Sequence, residues 1–430
     1  MKRAVFLCCD GLGRDWVSAE RTPILHGLRS RSQWCGDHWA VFPSVTRVSA
    51  ASIATGCHPA RHGLHGNRMG LFEQGRIVVR DVGAPDFRDH MRRATGRTLH
   101  VPTLAERVAK HSGFIAFSNV SPGAALFLDP DNHGHVYHRT GSLAPGGERL
   151  PALQATHDGE GDWAMTERFC REVLDERRPA VAFMWLTDPD HKTHGVPLGS
   201  PAHLESLAGV ERCVDEVVRA VERLRAEGDD ILLLLGSDHG HETIGAAIDI
   251  DDWLAGRGLG KLVDEGDVAV AGQGTAALLY ATERGRAPLL GVLDAMRAEP
   301  WSDGVITDDE LARRGFAATD GVVAAVNMAR RDGANPHGVP GKRWVVIEDS
   351  KPVPVGSGQH GGWGPDETRP FLMVNDGRRT GVRREPSSLV DIAPTIAEHL
   401  GLPLDGFDGR PLRDGNPAPV ENELDRLRRF

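Results

Sequence analysis

The sequence predicts an α/β fold: a central, mostly parallel sheet flanked by helices, with a cap subdomain inserted late in the chain. Three observations predict it. Continuous apolar runs at residues 4–9 (AVFLCC), 181–187 and 231–235 read as strands buried on both faces. Helical patterns alternate with such runs in the rhythm of βαβ units. Each run also ends in acids or histidines, at Asp10, at Asp188-Pro189-Asp190 and at Asp238-His239. Sites in open α/β sheets form beyond the carboxyl ends of strands.

Composition bounds the alternatives. The chain has 430 residues, 40% hydrophobic and 26% charged, as in a globular protein of one large domain with insertions or of two domains. A net charge of −10 argues against a nucleic-acid polymer as partner. No apolar stretch reaches membrane-span length, so no membrane partner is expected. The start, MKRAVFLCCDG, has too short an apolar run before Asp10 for a signal peptide and reads as a first strand. Six cysteines with no CxxC pair read as reduced core thiols in a cytoplasmic protein.

In chain order, residues 22–28 read as a short helix. In 42–56, FPSVTRVSAASIATG, Pro43-Ser44 make a turn, and small residues then run as a helix to Gly56. Thr46 therefore lies at or beside a helix N-terminus, where free N–H groups and the dipole stabilise an anion. By itself its hydroxyl reads first as a helix cap. A Gly/His loop follows at 62–67, and 68–100 reads as an irregular excursion. Residues 102–111 read as a helix and 114–118 as a strand, 119–160 as loop-rich, and 163–174 as a helix. Apolar positions from Leu207 to Leu224 mark a long amphipathic helix closed by Gly228. After the interruption at 241–355, a Gly-rich loop leads to His360, where it is suited to closing over a site. A strand is expected at 371–374, then a helix capped by Ser387 or Ser388 and kinked at Pro394. The expected division is a core of 1–240 and 356–415, an insert of 241–355, and a peripheral segment, 416–430.

The chemistry lies in a constellation. Asp190 and His194, four apart, can face one ion. Asp238 and His239, being adjacent, can do so only in loop geometry. Asp and His together suit Zn²⁺, and less exclusively Mn²⁺ or Fe. Each piece alone is weak, since acids at strand ends are often caps and DHG is a turn signal. The conjunction along one α/β chain is far more specific.

CDGLG at 9–13, FPSVT and SIATG within 42–56, HGLHGN at 62–67, DPDHKTH at 188–194, SDHG at 237–240 and GQHGG at 358–362 resemble the alkaline phosphatase superfamily. The likeness is strongest to its nucleotide pyrophosphatase/phosphodiesterase and phosphonoacetate hydrolase branch. DIAPTIAEHLGL at 391–402 and DGRPL at 408–412 resemble the superfamily's C-terminal helix and turn. The resemblance implies an alkaline phosphatase-like core and two divalent metal ions, Zn²⁺ first. Asp190, His194 and His360 would hold one ion; Asp10, Asp238 and His239 the other, with Thr46 Oγ1 upon it as nucleophile. Asn67 and the N–H of Arg47 would bind phosphoryl oxygens. The Arg47 side chain would touch a phosphate or carboxylate, or point to solvent. His241, following SDHG where an apolar residue is expected, falls outside the implied ligand set, as do His133, His135 and His138. Trp185 and Trp363 would line the pocket or simply pack.

The expected function is a dinuclear-metal hydrolase of phosphodiesters or nucleotide pyrophosphate-type substrates through a phosphothreonine at Thr46. Its partner would be a small-molecule phosphate ester or phosphonate. A phosphonate (C–P) hydrolase or a phosphomonoesterase is the alternative within enzymes. The absence of lysine between His111 and His191 counts against the phosphonoacetate chemistry, which uses mid-chain lysines. Outside enzymes the alternative is a metal-containing ligand-binding module.

Overall fold

The computed structural model describes residues 1–348 and 352–413, so the expected peripheral segment 416–430 lies outside the described residues. A ten-stranded sheet forms the main body. Its centre is five parallel strands in the order Asp230–Gly236, Lys2–Cys9, Val181–Leu186, Phe114–Ser118 and His135–His138. Leu372–Asn375 joins antiparallel beside Asp230–Gly236.

Alternation along the first strand divides the core between two faces. Ala4, Phe6 and Cys8 pack with Val48, Ala51, Leu104, Ala124 and Ile396 on one side. Val5, Leu7 and Cys9 pack with Phe169, Leu207, Val214 and Val221 on the other. The long helix Pro201–Ala226 supplies the last three of these through its apolar stripe. Register aligns the strand ends: Cys9 pairs with Leu186, and Cys8 with Gly236. Asp10, Asp190 and Asp238 therefore leave the sheet at one edge.

Residues 242–359 build two four-stranded sheets. One contains Val268–Gly272, Ala276–Ala281, Val322–Met328 and Ser302–Ile306, and rests on a hydrophobic cluster that includes Trp253, Leu279, Met296 and Val326.

Three expectations are corrected. Residues 68–81 form an antiparallel hairpin, Arg68–Glu73 with Arg76–Asp81, and Phe87–Thr95 is a helix. The hairpin turns through Gln74 and Gly75, both at positive φ, the geometry that suits a two-residue β-turn. The loop-rich 119–160 contributes the helix Pro122–Phe127 and three short strands that extend the main sheet. Pro394 sits in the first turn of Ile392–Leu400 rather than in the helix interior, so its missing N–H costs little. Ser388 caps that end, in a reciprocal capping box with Asp391. Among the described residues no helix is long and apolar enough to cross a membrane.

Candidate active site

Thr46 opens the helix Thr46–Thr55, which Gly56 closes in the left-handed conformation. The cap position belongs to Val45, and no side chain caps the helix. The hydroxyl of Thr46 instead faces His239 Nε2 at 3.2 Å, so the capping reading fails.

Two groups of metal-ligating atoms converge beside it. Asp10, Asp238 and His239 form one, all buried. Asp190, His194, His241 and His360 form the other; in each group the donor atoms lie within 4.8 Å of one another. Asp190 begins the single helical turn Asp190–Thr193, which brings it to His194, while Asp238 and His239 lie in the loop after their strand. The rings of His239 and His360 stack at 3.6 Å, placing the groups side by side.

In the first group each carboxylate is held by one oxygen so that the other remains free. Asp10 Oδ2 accepts from Trp185 Nε1 at 3.1 Å, and Asp238 Oδ1 accepts from the Gly11 N–H at 3.1 Å. Asp10 Oδ1 and Asp238 Oδ2 are buried with no hydrogen-bond partner. His239 Nε2 stands 3.4 Å from the first of these oxygens and 3.1 Å from the second. His239 Nδ1 donates to Gly240 O, and His360 Nδ1 to Ser44 O at 2.8 Å, which leaves each Nε2 as a bare donor. His194 Nε2 and His360 Nε2 each lie 3.3 Å from Asp190 Oδ1. Ligand atoms about 2.0–2.2 Å from one tetrahedral ion stand roughly 3.3–3.6 Å apart. The donor set therefore fits a divalent cation in each group, and the orphaned carboxylate oxygens are what such a cation would satisfy.

The electrostatics agree. Burial, then the charges of Asp238 and Asp190, drives Asp10 well above the usual carboxylate range. Burial pushes Asp238 up to about 7, against the Gly11 N–H that favours its charge. Burial also opposes the charge on Asp190, but the surrounding imidazoles, His194 first and then His241 and His360, hold it well below its ordinary value. Burial lowers His239 well below the usual range. Three carboxylates at one buried edge call for positive charge.

His360 does not sit on a closing loop. It is buried, and the loop is fastened: Ser44 Oγ donates to Gly362 O at 2.8 Å and Ser44 N–H to Gly361 O at 3.2 Å. Asn67 accepts the Arg47 N–H on Oδ1 at 3.2 Å, which assigns its amide nitrogen as a free donor. The Arg47 guanidinium turns away to the Asn67 carbonyl at 2.7 Å, Ser121 Oγ at 3.2 Å and Asp81. Trp185 is fully buried, and its indole N–H donates to Asp10 Oδ2 and orients that carboxylate. Trp363 packs edge-on against Phe42 with Arg314 over its ring. His138 is buried and bonded to Val120 O and Thr140, apart from both donor groups, as are His133 and His135.

Three neighbours of the site were not given their roles by sequence reasoning. Trp185 was expected only to line the pocket or pack, and Gln273, whose Oε1 accepts the Asn67 N–H at 2.7 Å, has no signal beyond a turn. His241 had one, a histidine where an apolar residue is expected, directly after Asp238-His239-Gly240.

A family model described as type I phosphodiesterase / nucleotide pyrophosphatase matches residues 4–302. The chain belongs to that family. It is thus a phosphoric ester hydrolase from a metal-dependent family. Murine ectonucleotide pyrophosphatase/phosphodiesterase 5, solved as an inactive variant in complex with AMP, superposes with a TM-score of 0.67 at 16% identity, covering 95% of this chain and 97% of its own. Phosphonoacetate hydrolase from Sinorhizobium meliloti, with phosphonoacetate bound, gives 0.65 at 17% identity over 91% and 94% of the two chains. These likenesses establish the alkaline phosphatase-like fold that this phosphodiesterase family member shares with them. No curated protein sequence matches the chain.

Proposed function

We propose that the protein is a dinuclear-metal hydrolase of phosphodiester or nucleotide pyrophosphate-type substrates, working through a phosphothreonine at Thr46. The observation that carries this is the pair of metal-donor groups, one of them with two bare carboxylate oxygens, converging beside a threonine that opens a helix without capping it. Asp10, Asp238, His239 and Thr46 hold one ion in this reading, and Asp190, His194 and His360 the other. Two such ions, Zn²⁺ by donor chemistry, supply Lewis acidity and neutralise charge at the phosphoryl group.

The chain's own residues do the rest. Thr46 Oγ1 attacks phosphorus, its O–P bond forms as the bond to the leaving oxygen breaks, and the leaving oxygen takes up a proton. Water then cleaves the phosphothreonine and restores the hydroxyl. The amide nitrogen of Asn67 donates to a phosphoryl oxygen, held in aim by the Arg47 N–H on its carbonyl. Because Asp81 pairs the Arg47 guanidinium, Arg47 supplies no free cation for the second charge of a monoester. That supports a diester over a monoester. AMP and phosphonoacetate bound to proteins of the same fold support a small phosphate ester or phosphonate as partner. Six free, buried cysteines support a reducing, cytoplasmic setting.

The test is substitution of the nucleophile. Thr46→Ala is expected to lower kcat on bis-p-nitrophenyl phosphate by several orders of magnitude with metal content kept, and Thr46→Ser to retain a measurable fraction. Near wild-type turnover in Thr46→Ala would refute the covalent route.

A further inference from the structure

We propose that His241 is a fourth protein ligand of the ion held by Asp190, His194 and His360. The inference rests on the dinuclear reading above and adds a donor to it.

Geometry carries it. His241 is buried, and its Nδ1 lies 3.1 Å from Gly11 O, an acceptor only, so Nδ1 bears the proton. Nε2 of that tautomer is a lone pair. It faces Asp190 Oδ1 at 2.9 Å, and Thr193 Oγ1 lies 3.1 Å away with two backbone carbonyls within 2.9 Å to take its hydrogen. Two lone pairs so close call for a proton or a metal cation between them, and the donor atoms of His194 and His360 converge on the same point, as around a metal.

The ring is also held as its neighbours are. His239, His241 and His360 each spend Nδ1–H on a backbone carbonyl and turn Nε2 to a carboxylate, the arrangement that fixes a ligating tautomer. Room is made for it: Gly11 has φ +68, and a Cβ there would stand 2.3 Å from His241 Cε1. The rings of His194 and His360 pack about it at 5.6 and 5.2 Å. A fourth protein donor fills a position that a hydrolytic zinc ordinarily leaves open, tightening the ion at the expense of its Lewis acidity.

The experiment loads the full chain with ¹¹³Cd²⁺ after ¹⁵N-histidine labelling. A one-bond ¹¹³Cd–¹⁵N splitting arises only through a coordinate bond. Four split ring nitrogens are expected in the wild type, from His194, His239, His241 and His360, and three in His241→Gln. Zn²⁺ titration of His241→Gln against a competing chelator should show one of two sites weakened tenfold or more and the other unchanged. Three split nitrogens in the wild type, or two Zn²⁺ affinities unmoved by His241→Gln, would overturn the proposal while leaving the dinuclear reading intact. A wild-type protein that takes up fewer than two ions would overturn both. The wild-type spectrum decides the matter even if the variant folds poorly.

Discussion

The guanidinium of Arg47 stands one residue from the nucleophile yet turns toward Asp81 and the Asn67 carbonyl. A cation so placed positions a neighbour rather than a substrate. Arg47→Ala is therefore expected to slow bis-p-nitrophenyl phosphate and p-nitrophenyl phosphate by the same factor. Losing a charged hydrogen bond of about 1.5–3 kcal/mol makes that factor roughly tenfold to a hundredfold. Steady-state kinetics on both substrates check it; a shifted ratio would show the side chain reaching the phosphoryl group. Asp10, Asp190, His194, Asp238 and His239 were legible in the sequence because strand ends announce themselves. What holds them was not. Trp185 meets Asp10 across 175 positions, and alternation along a strand reveals which side chains are buried but not against whom.

Among the elements, the strand Val268–Gly272 reaches furthest into the chemistry. It leads directly into Gln273, whose Oε1 accepts the Asn67 N–H at 2.7 Å and whose Nε2 donates to Arg68 O at 2.7 Å. Gly66 leaves room for it, since a Cβ there would lie 2.3 Å from that oxygen. A segment sequence reasoning could not connect to the site thus clamps the loop bearing Asn67, for the clamp is a side-chain amide 206 positions away. Gln273→Ala should lower kcat about tenfold, from a lost hydrogen bond of about 1–1.5 kcal/mol, and leave two ions per chain by elemental analysis. The hairpin at 68–81 escaped notice for a local reason: its turn uses Gln74-Gly75 rather than a stronger turn pair, and its strands carry charge on both faces.

At the scale of the whole molecule, buried histidines outside the site set the response to acid. Burial pushes His38 and His203 down to about 3 and His65 and His138 down to about 4, with His62 well below its ordinary value. Each stays neutral in the folded chain while its unfolded counterpart takes a proton below about pH 6.5. The unfolded state then binds more protons, so stability falls as pH drops from about 6.5 toward the folded value and is flat above. His203, whose Nδ1 accepts the Gly199 N–H, isolates one share. Urea unfolding of wild type and His203→Gln between pH 5 and 6.5 should differ in slope by about 1.4 kcal/mol per pH unit, the wild type being steeper. Four of the five parallel strands at the centre of the sheet were plain from their apolar runs. The fifth, His135–His138, and the short strands beyond it were not, since runs of two to four residues carry too little pattern to register.

The donors also have an order in time. A chain leaving the ribosome has presented Asp10, Thr46, Asp238 and His239 before most strands of the two smaller sheets exist, whereas His360 emerges after nearly all of them. The residues of one donor group have thus all emerged in the nascent chain while the other group still waits for His360, an order fixed by the direction of translation.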